Sequence, residues 1–205
     1  MKKTILLLLF SATAFSQIIS IKHTAYEIIF DTNLKEPLYA IYMLKPEMLN
    51  GSNVRTSFLP DNLVAKTNQG TSKDYKGSFY NKGHLAPNED FKFDKICQKE
   101  SMFYTNCVPQ NPSLNKGVWK SLENYARNQA KINNVKIIVG CDYNGSQEKA
   151  GKLQVPVAFW KIIEINGIKQ GYYFENINPK SKIFLTYKVN ADSLYLLKQK
   201  IISAY

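Results

Sequence analysis

Histidine and cysteine are scarce in this sequence, with two histidines and three cysteines among 205 residues. No pair of cysteines has the CxxC spacing typical of structural zinc sites, so a zinc site built from cysteines and His84 is only a weak hypothesis. An oxidising compartment would permit one disulfide and leave one thiol. Cys97 and Cys107 are close enough in sequence to pair, and Cys107 and Cys141 are equally consistent with buried thiols at strand ends. The sequence does not choose between these alternatives.

Acidic residues are also few. The chain carries 16 Asp and Glu against 27 Lys and Arg, which gives a net charge of +11 and an isoelectric point near 9.4. Such a balance favours polyanionic partners, either nucleic acid or an anionic membrane surface, although a protein that merely has a basic surface fits the charge equally well. The 44% hydrophobic and 13% aromatic content excludes a disordered or fibrous chain.

Long apolar runs are absent except at the N-terminus. Residues 1–16 (MKKTILLLLFSATAFS) contain two lysines, an apolar run and then small residues, the pattern of a secretory signal peptide with cleavage before Gln17. The run is too short for a membrane-spanning helix, and no cysteine at the cleavage site indicates a lipid anchor. We therefore expect one domain over residues 17–205, with a net charge of 25 − 16 = +9. We expect it to be secreted or periplasmic, without a membrane anchor.

Hydrophobic patterning predicts an α+β fold. Strands are predicted over residues 24–30, 37–43, 101–107, 135–141, 155–165, 168–177 and 183–189, with a short strand, a turn and a second strand over 75–86. Asn166-Gly167 is a strong two-residue hairpin signal. Residues 44–74 are mostly loop, and helices are predicted over 114–132, with Ser113 as N-cap, and from residue 190 onwards. This order of elements predicts a largely antiparallel central sheet flanked by helices.

Polar residues at regular spacings follow His84. Asn115 comes 31 residues after it, and Glu123 and Arg127 follow at spacings of 8 and 4. On a regular helix, Asn115, Trp119, Glu123 and Arg127 would lie near one face. A histidine facing an amide, a carboxylate and a guanidinium suggests phosphoester chemistry. Taken singly, Asn115 is more simply a helix-start residue, and Glu123 with Arg127 an ordinary i, i+4 ion pair.

Two sequence signatures resemble those of the DNA/RNA non-specific endonucleases, which are ββα-metal (His-Me) finger nucleases of the endonuclease G type. Residues 81–87 read NKGHLAP, where the family has Asp-Arg-Gly-His followed by Leu-Ala-Pro. Residues 105–110 read TNCVPQ, similar to the family's Ser-Asn-x-x-Pro-Gln. Residues 114–119 (LNKGVW) and 122–123 (LE) then match its Leu-Asn-x-Gly-x-Trp and Leu-Glu patterns without an insertion. The resemblance implies a ββα-metal finger within the α+β domain.

The resemblance implies a role for each matching residue. His84 would be the general base that removes a proton from the attacking water, for which a neutral imidazole is suited. Asn115 would be the only direct protein ligand of a divalent ion, Mg²⁺ or another such as Mn²⁺, and Glu123 would hold water around that ion. Arg127 would neutralise charge near the scissile phosphate, and Asn106 would have a positioning role.

Two residues depart from the family pattern. Asn81 stands in place of the usual Asp, and Lys82 stands in place of Arg, which keeps a charge for substrate phosphate binding but loses bidentate geometry. Gly83 has two interpretations: it relaxes a bend, or it lets the backbone approach a phosphate. We expect cleavage activity to be retained, with altered efficiency, because the residues implied in catalysis are present.

Other polar and aromatic residues have plainer interpretations. His23 is expected to be an ordinary surface histidine, and Trp119 to anchor the helix in the core. Glu89 and Asp90 follow the histidine strand and could hold water bound to a metal ion, but surface acids are the favoured interpretation. The sequence as a whole indicates a secreted, metal-dependent, sugar-non-specific endonuclease that acts on DNA and RNA through backbone phosphates. The alternatives are an exported nucleic-acid-binding protein of the same fold with weak or no hydrolysis, and a basic envelope protein that binds anionic glycans or lipids.

Overall fold

The computed structural model describes residues 18–52 and 57–203, so the predicted signal peptide over residues 1–16 lies outside the described residues. In this part of the chain the strands are β1 (Ile18–Lys22), β2 (Tyr26–Asp31), β3 (Glu36–Leu44), β4 (Asn81–His84), β5 (Cys107–Gln110), β6 (Val135–Asp142), β7 (Lys149–Ala150), β8 (Leu153–Gln154), β9 (Ala158–Ile165), β10 (Ile168–Glu175) and β11 (Lys188–Val189). Seven of them form the central sheet in the order β1-β2-β3-β6-β9-β10-β11, and all neighbouring pairs are antiparallel.

The helices cover the two faces of this sheet. They are α1 (Ser72–Tyr75), α2 (Lys95–Glu100), α3 (Pro112–Leu114), α4 (Lys120–Ala130) and α5 (Ala191–Ser203), with a π-helical turn at Asn115–Trp119 that joins α3 to α4. Short 3₁₀ turns occur at Pro46–Leu49, Lys66–Asn68, Asn88–Phe91, Tyr104–Asn106 and Phe184–Tyr187. Within the described ranges, no helix has the length and apolar character needed to cross a membrane.

Alternating side chains of β9 build a separate apolar layer on each face. Phe159 and Ile163 belong to the layer that contains the buried residues of α4, whereas Trp160 and Ile162 pack with Leu194 of α5. The strands at the centre are buried on both faces because each face has its own helix. This arrangement confirms the predicted fold class, an α+β domain with an antiparallel central sheet flanked by helices.

The β9–β10 hairpin forms at the turn that the sequence predicts. Asn166 and Gly167 connect the two strands and have φ angles of 50° and 79°. Positive φ at both central positions is what a type I′ turn requires, and Asn-Gly is the favoured pair because neither residue resists it strongly. The predicted strand pair is therefore confirmed, with the first strand beginning at Ala158 rather than at residue 155.

Several local predictions were wrong or incomplete. Strand β1 and helix α2 were not predicted, because five and six residues are too few to show a clear period. Residues 76–80 form a turn instead of a strand, and Gly77 there has a φ of 77°. The predicted 101–107 strand begins only at Cys107. Most of the predicted 183–189 strand is a 3₁₀ turn, which leaves the two residues of β11.

His23 is not a surface residue. Its side chain is 2% exposed, and its Nε2 lies 3.2 Å from Oδ2 of Asp61, which is also buried and accepts a hydrogen bond from Thr105. Burial raises the pKa of Asp61, but the hydrogen bonds from His23 and Thr105 outweigh it and leave the pKa below its usual value. This pair ties the start of the sheet to the segment that precedes β5. The three cysteines, Cys97, Cys107 and Cys141, are buried free thiols.

Candidate active site

A separate two-stranded antiparallel unit presents His84. Strands β4 and β5 pair so that His84 lies opposite Cys107, and the helical segment follows directly after β5, which makes a ββα unit. Alternation along β4 places Lys82 and His84 on the same side. Both contact Phe58: its ring is stacked on the His84 ring, with centroids 5.0 Å apart, and the Lys82 Nζ lies 5.4 Å from its centroid. Phe58 was not predicted from the sequence as a site residue.

Burial controls the protonation of His84. It lowers the pKa of the imidazole to about 4, so the ring is neutral at physiological pH. Its Nε2 atom is buried and has no hydrogen-bond partner within the described part of the chain. In a neutral imidazole one nitrogen carries a proton and the other a lone pair. Because Nε2 has no hydrogen-bond partner, it is free to take part in acid–base chemistry.

Packing against the opposite strand β5 explains why position 83 is a glycine. A Cβ at this position would lie 2.3 Å from Oε1 and 2.6 Å from Cβ of Gln110. Neither interpretation from the sequence identified this contact, in which the missing side chain makes room for a buried glutamine. Gly83 therefore allows β4 and β5 to approach closely at the residue before His84.

The Asn106 side chain connects the backbone just after β4 to the segment that precedes β5. Its Nδ2 donates to the backbone oxygens of Ala86 and Ser101, at 2.7 and 2.8 Å, and its Oδ1 accepts from the Ala86 N–H. The side chain is fully buried, and both of its amide hydrogens are used. Asn106 thus holds the backbone that follows His84 against the segment that precedes β5.

The N-cap of the helical segment is Asn111, two residues before the predicted cap Ser113. The Asn111 side chain accepts from the N–H groups of Ser113 and Leu114, and Pro112 occupies the first helical position, where its lack of an N–H costs nothing. Asn176, at the end of β10, accepts from the Asn111 N–H at 2.8 Å. The start of the helix is thereby tied to the central sheet.

The helix is not regular through Asn115. The π-helical turn Asn115–Trp119 includes Gly117, whose φ and ψ are −100° and −115°, so a simple four-residue repeat does not describe positions 115 to 127. Asn115 is half-buried, at the first residue of this turn, and Trp119 is buried in the core as predicted. The π turn changes the relative orientation of Asn115 and of the residues on α4.

Arg127 and Glu123 are part of a buried charge network that the sequence did not reveal. Arg127 donates to Oδ1 of Asp90 at 2.7 Å and to Oδ1 of Asn124 at 2.7 Å, and Glu89 lies 3.3 Å from its guanidinium. Asp90 is 2% exposed and also accepts from the Tyr42 hydroxyl, so the expectation of a surface acid was wrong for this residue. Glu89 is partly exposed but is likewise paired with Arg127.

Glu123 has its own cationic neighbour. The Nζ of Lys161, on β9, lies 3.9 Å from Oε1 of Glu123, and the two side chains are 1% and 12% exposed. Burial raises the pKa of Glu123, and the positive charge of Lys161 opposes that rise. Burial similarly raises the pKa of Asp90, opposed by Arg127. The network thus holds two carboxylates and two cations in a poorly solvated interior.

The structure brings the implied site residues together in two groups. Lys82 and His84 meet at Phe58, and Glu123 and Arg127 meet at the charge network. Among the residues that the structure describes, no hydrogen bond, ion pair or ring contact joins His84 to Asn115 or to Glu123. Nor does any group of three or more His, Cys, Asp or Glu residues in that part of the chain form a metal-binding cluster. Sequence patterning missed Lys161 and Phe58 and favoured a surface position for Asp90, because the proximity of these residues to the site depends on tertiary packing.

The donor types around the helix suit a hard divalent cation. Asn115 offers an amide oxygen and Glu123 a carboxylate oxygen, and Mg²⁺ binds oxygen ligands, keeps several waters and uses few protein groups. A site of this kind does not need the three or more titratable ligands that a zinc or calcium cage requires. The side-chain chemistry therefore fits one Mg²⁺-like ion that is largely hydrated.

Comparison with known proteins gives the family. A sequence model of the DNA/RNA non-specific endonucleases matches residues 10–194. Mitochondrial endonuclease G of Bos taurus is 28% identical over 154 residues, covering 68% of this chain and 52% of that protein. A salivary endonuclease of Lutzomyia longipalpis is 27% identical over 197 residues, covering 79% of this chain and 47% of that protein. The chain spans about half the length of these curated relatives.

A solved structure gives the same result for the fold. EndoG, in a crystal structure of the EndoG/EndoGI complex, superimposes with a TM-score of 0.75 at 20% identity, covering 86% of this chain and 82% of that one. The family match extends over most of the sequence and includes both signature segments. This chain belongs to the DNA/RNA non-specific endonuclease family.

Proposed function

We propose that this chain is an exported, metal-dependent endonuclease that hydrolyses phosphodiester bonds in both DNA and RNA. The observation that carries this proposal is His84, a neutral histidine with an unpartnered buried nitrogen, presented by the first strand of a ββα unit. The helix of the same unit supplies Asn115 and Glu123. Family membership supports the same reaction class.

In this proposal His84 is the general base. A lone pair on its neutral ring takes the proton as water attacks phosphorus in line with the departing 3′ oxygen, which leaves a 5′-phosphate product. Stacking on Phe58 restricts the rotation of the imidazole, so the lone pair keeps one direction. Asn106 positions the backbone after His84 through its three hydrogen bonds and does not touch the substrate.

Asn115 and Glu123 would hold a divalent ion and the water around it, Asn115 as the direct ligand and Glu123 as an acceptor of hydrogen bonds from that water. When bound, Mg²⁺ or a similar ion supplies electrostatic stabilisation of charge on the phosphate and the leaving oxygen. Glu123 can accept hydrogen bonds through both oxygens only while it is ionised, so the charges around it matter for this role.

Lys82 and Arg127 provide positive charge for the phosphate backbone. Lys82 carries its ammonium on the same side of β4 as His84, and its partial contact with two aromatic rings leaves it half-buried. Arg127 already contacts Asp90, Asn124 and Glu89, so it acts mainly through its fixed charge near Glu123. Contacts of this kind to backbone phosphates carry little base information, which is consistent with cleavage of both DNA and RNA.

The proposal is tested by cleavage of plasmid DNA and of single-stranded RNA by the mature protein, with Mg²⁺ or with a chelator. His84→Ala should lower the rate at least about 10²-fold, since general-base catalysis contributes about 10²–10⁴-fold. Asn62→Ala, an exposed neutral change beyond Phe58 in sequence, serves as the control and should cleave normally. Tight binding of both nucleic acids without any cleavage would contradict the proposal and would favour a binding protein of the same fold.

Export is tested separately. We expect the secreted or periplasmic product to begin at Gln17, which N-terminal sequencing or mass spectrometry of protein from the native host would measure. A mature protein that retains residues 1–16 would contradict the proposed export, without affecting the proposed reaction.

A further inference from the structure

A groove lies beside Arg127. It has a volume of about 370 Å³ and is bounded by α4, by the Asn88–Phe91 turn with the residue after it, and by Leu49. Helix α4 and its C-cap contribute four side chains whose spacing places them along one face: Asn124, Arg127, Asn128 and Lys131. The other side chains are Leu49, Glu89 and Lys92. Because Arg127 forms part of its wall, the groove is continuous with the candidate active site.

The hydrogen bond from Arg127 fixes the orientation of the Asn124 amide. The guanidinium donates to Oδ1 of Asn124 at 2.7 Å. A guanidinium has no acceptor atom, so it must take the amide oxygen, and the Asn124 NH₂ group remains as a donor. Asn124 is exposed, and in the described part of the chain no hydrogen bond uses this NH₂ group. The groove therefore presents a free donor next to Arg127.

The groove also contains two cations whose charge no ion pair compensates. The charge of Arg127 is offset by Asp90 and Glu89. Lys92 and Lys131 have no ion pair among the residues that the structure describes. Lys131 is the C-cap of α4, where a positive charge offsets the negative end of the helix dipole. Lys92 has no such role, so its charge is available to an anion in the groove.

Phe93 follows Lys92 in the chain and is an exposed aromatic residue. Its side chain is 42% exposed. The backbone of Lys92 and Phe93 packs so closely on Gly51 that no Cβ fits at that position. The next residue, Asp94, caps α2 through two hydrogen bonds. The aromatic ring is thus presented to solvent from a fixed backbone, beside a groove that carries positive charge.

We propose that this groove and Phe93 form a subsite for an unpaired nucleotide that flanks the cleaved phosphodiester bond. The phosphate of that nucleotide lies against Lys92 and the Asn124 amide, and its base stacks on the Phe93 ring. Aromatic side chains stack on bases of any sequence, and lysine and amide groups bind phosphate oxygens. The bases of a duplex stack on each other, so only an unpaired nucleotide can use the ring. The inference rests on the proposed function, which places the substrate strand at Arg127.

The base contact is tested by the binding of labelled oligonucleotides to the His84→Ala protein, measured by fluorescence anisotropy. Phe93→Leu keeps an apolar side chain but removes the ring, so it should weaken binding of a single strand about 5- to 150-fold. Binding of a duplex and of an abasic single strand should not change, because neither offers an unstacked base. Phe93→Tyr keeps an aromatic ring and should bind the single strand as tightly as the protein with Phe93.

The phosphate contact is tested by Lys92→Met in the same protein. Removing one phosphate contact should reduce the magnitude of the slope of log K against log[salt] by about 0.7 for a single strand, with or without bases. Lys99→Met is the matched control, because Lys99 is an exposed lysine of α2 outside the groove. Equal slopes for Lys92→Met and Lys99→Met would overturn the proposed phosphate contact.

A second control separates stacking from a merely apolar surface. Ile96 is 62% exposed on α2, and Ile96→Ala should leave all three affinities unchanged. An equal loss in Ile96→Ala and Phe93→Leu, or an equal effect of Phe93→Leu on the normal and the abasic strand, would overturn the inference. A change of oligomeric state in Phe93→Leu, measured by light scattering, would assign the surface to a second copy of the chain and would also overturn it. Absence of cleavage by the unaltered protein would overturn the proposed function, whereas the affinities alone decide the subsite.

Discussion

The residues around His84 control the position of its side chain and its protonation. Phe58 lies against one face of its ring, Asn106 holds the backbone beyond it, and Gly83 before it makes room for Gln110. Burial on this scale favours the neutral imidazole, because a charged ring would lose its hydration. The histidine can therefore accept a proton over a wider pH range than an exposed histidine can.

At the residue scale, this makes a prediction about pH. Burial lowers the pKa of His84 to about 4, so the proposed general base is neutral above that value and becomes protonated only as the pH falls through it. The ordinary pKa of histidine is about 6.5. We therefore expect kcat/KM for plasmid cleavage to persist from neutral pH to well below that ordinary value. Steady-state cleavage rates across a pH series measure this, and a loss of the rate centred near the ordinary pKa of histidine would contradict it.

The same lowered pKa has a consequence for stability. Between the unfolded pKa of about 6.5 and the folded value, the unfolded chain binds a proton at His84 that the folded chain does not, so acidification favours unfolding over this range. Above the unfolded pKa, His84 is neutral in both the folded and the unfolded chain, so its ionisation does not change the free energy of unfolding there.

At the scale of elements, the helical segment depends on its first residue. Asn111→Ala removes the side-chain oxygen that accepts from two helix N–H groups and should destabilise the protein by about 0.5–2 kcal/mol. Ser113→Ala is the matched control, because sequence patterning predicts Ser113 as the cap, whereas the structure leaves it exposed. Thermal or urea unfolding measures both variants. A larger effect at Ser113 than at Asn111 would contradict the observed cap.

The β4–β5 pair makes a second prediction at this scale. Gly83→Ala places a methyl group 2.6 Å from Cβ of Gln110, an atom that cannot swing away, so the strands must separate. Overpacking of this kind costs about 1–3 kcal/mol, and the shift in β4 should also lower the cleavage rate because His84 is the next residue. Asn81→Ala, on the same strand, adds no atom and is the comparison. Equal melting temperatures for the two variants would count against the close packing of these strands.

Elements differ in how far sequence patterning predicts them. The β9–β10 hairpin follows from Asn166-Gly167, because its turn geometry is a local property of those two residues. Helix α2 and strand β1 are short, and their formation depends on contacts with the rest of the fold. In α2 the decisive local feature is Asp94, whose side chain accepts from two N–H groups at the helix start.

At the scale of the whole molecule, charge dominates the predicted interaction with nucleic acid. The sequence carries +11 overall, and binding through phosphates releases counterions, so log K should fall linearly with log[salt]. Lys82→Met should weaken binding equally for different sequences and reduce the magnitude of the slope by about 1. Lys198→Met is the control, since Lys198 lies on α5, which covers the opposite face of the sheet from α4.

Binding of labelled DNA by His84→Ala protein over a salt series measures both slopes without interference from cleavage. Equal slopes for the two lysine variants would place Lys82 outside the phosphate-binding surface. If the His84→Ala protein with both lysines intact shows almost no dependence of log K on log[salt], the proposed substrate interaction has no electrostatic basis.

Local sequence patterns are sufficient to predict the fold class and the hairpin at Asn166-Gly167, and to select His84 and Asn115 as candidate site residues. These depend on periodicity, turn chemistry and spacing, all of which act over a few residues. Only the tertiary structure brought Asp90 and Lys161 to the helix that carries Glu123. The physical reason is that burial and charge compensation arise from packing between distant segments. The cation nearest to Glu123 in this network, Lys161, comes from a strand 38 residues further along the sequence.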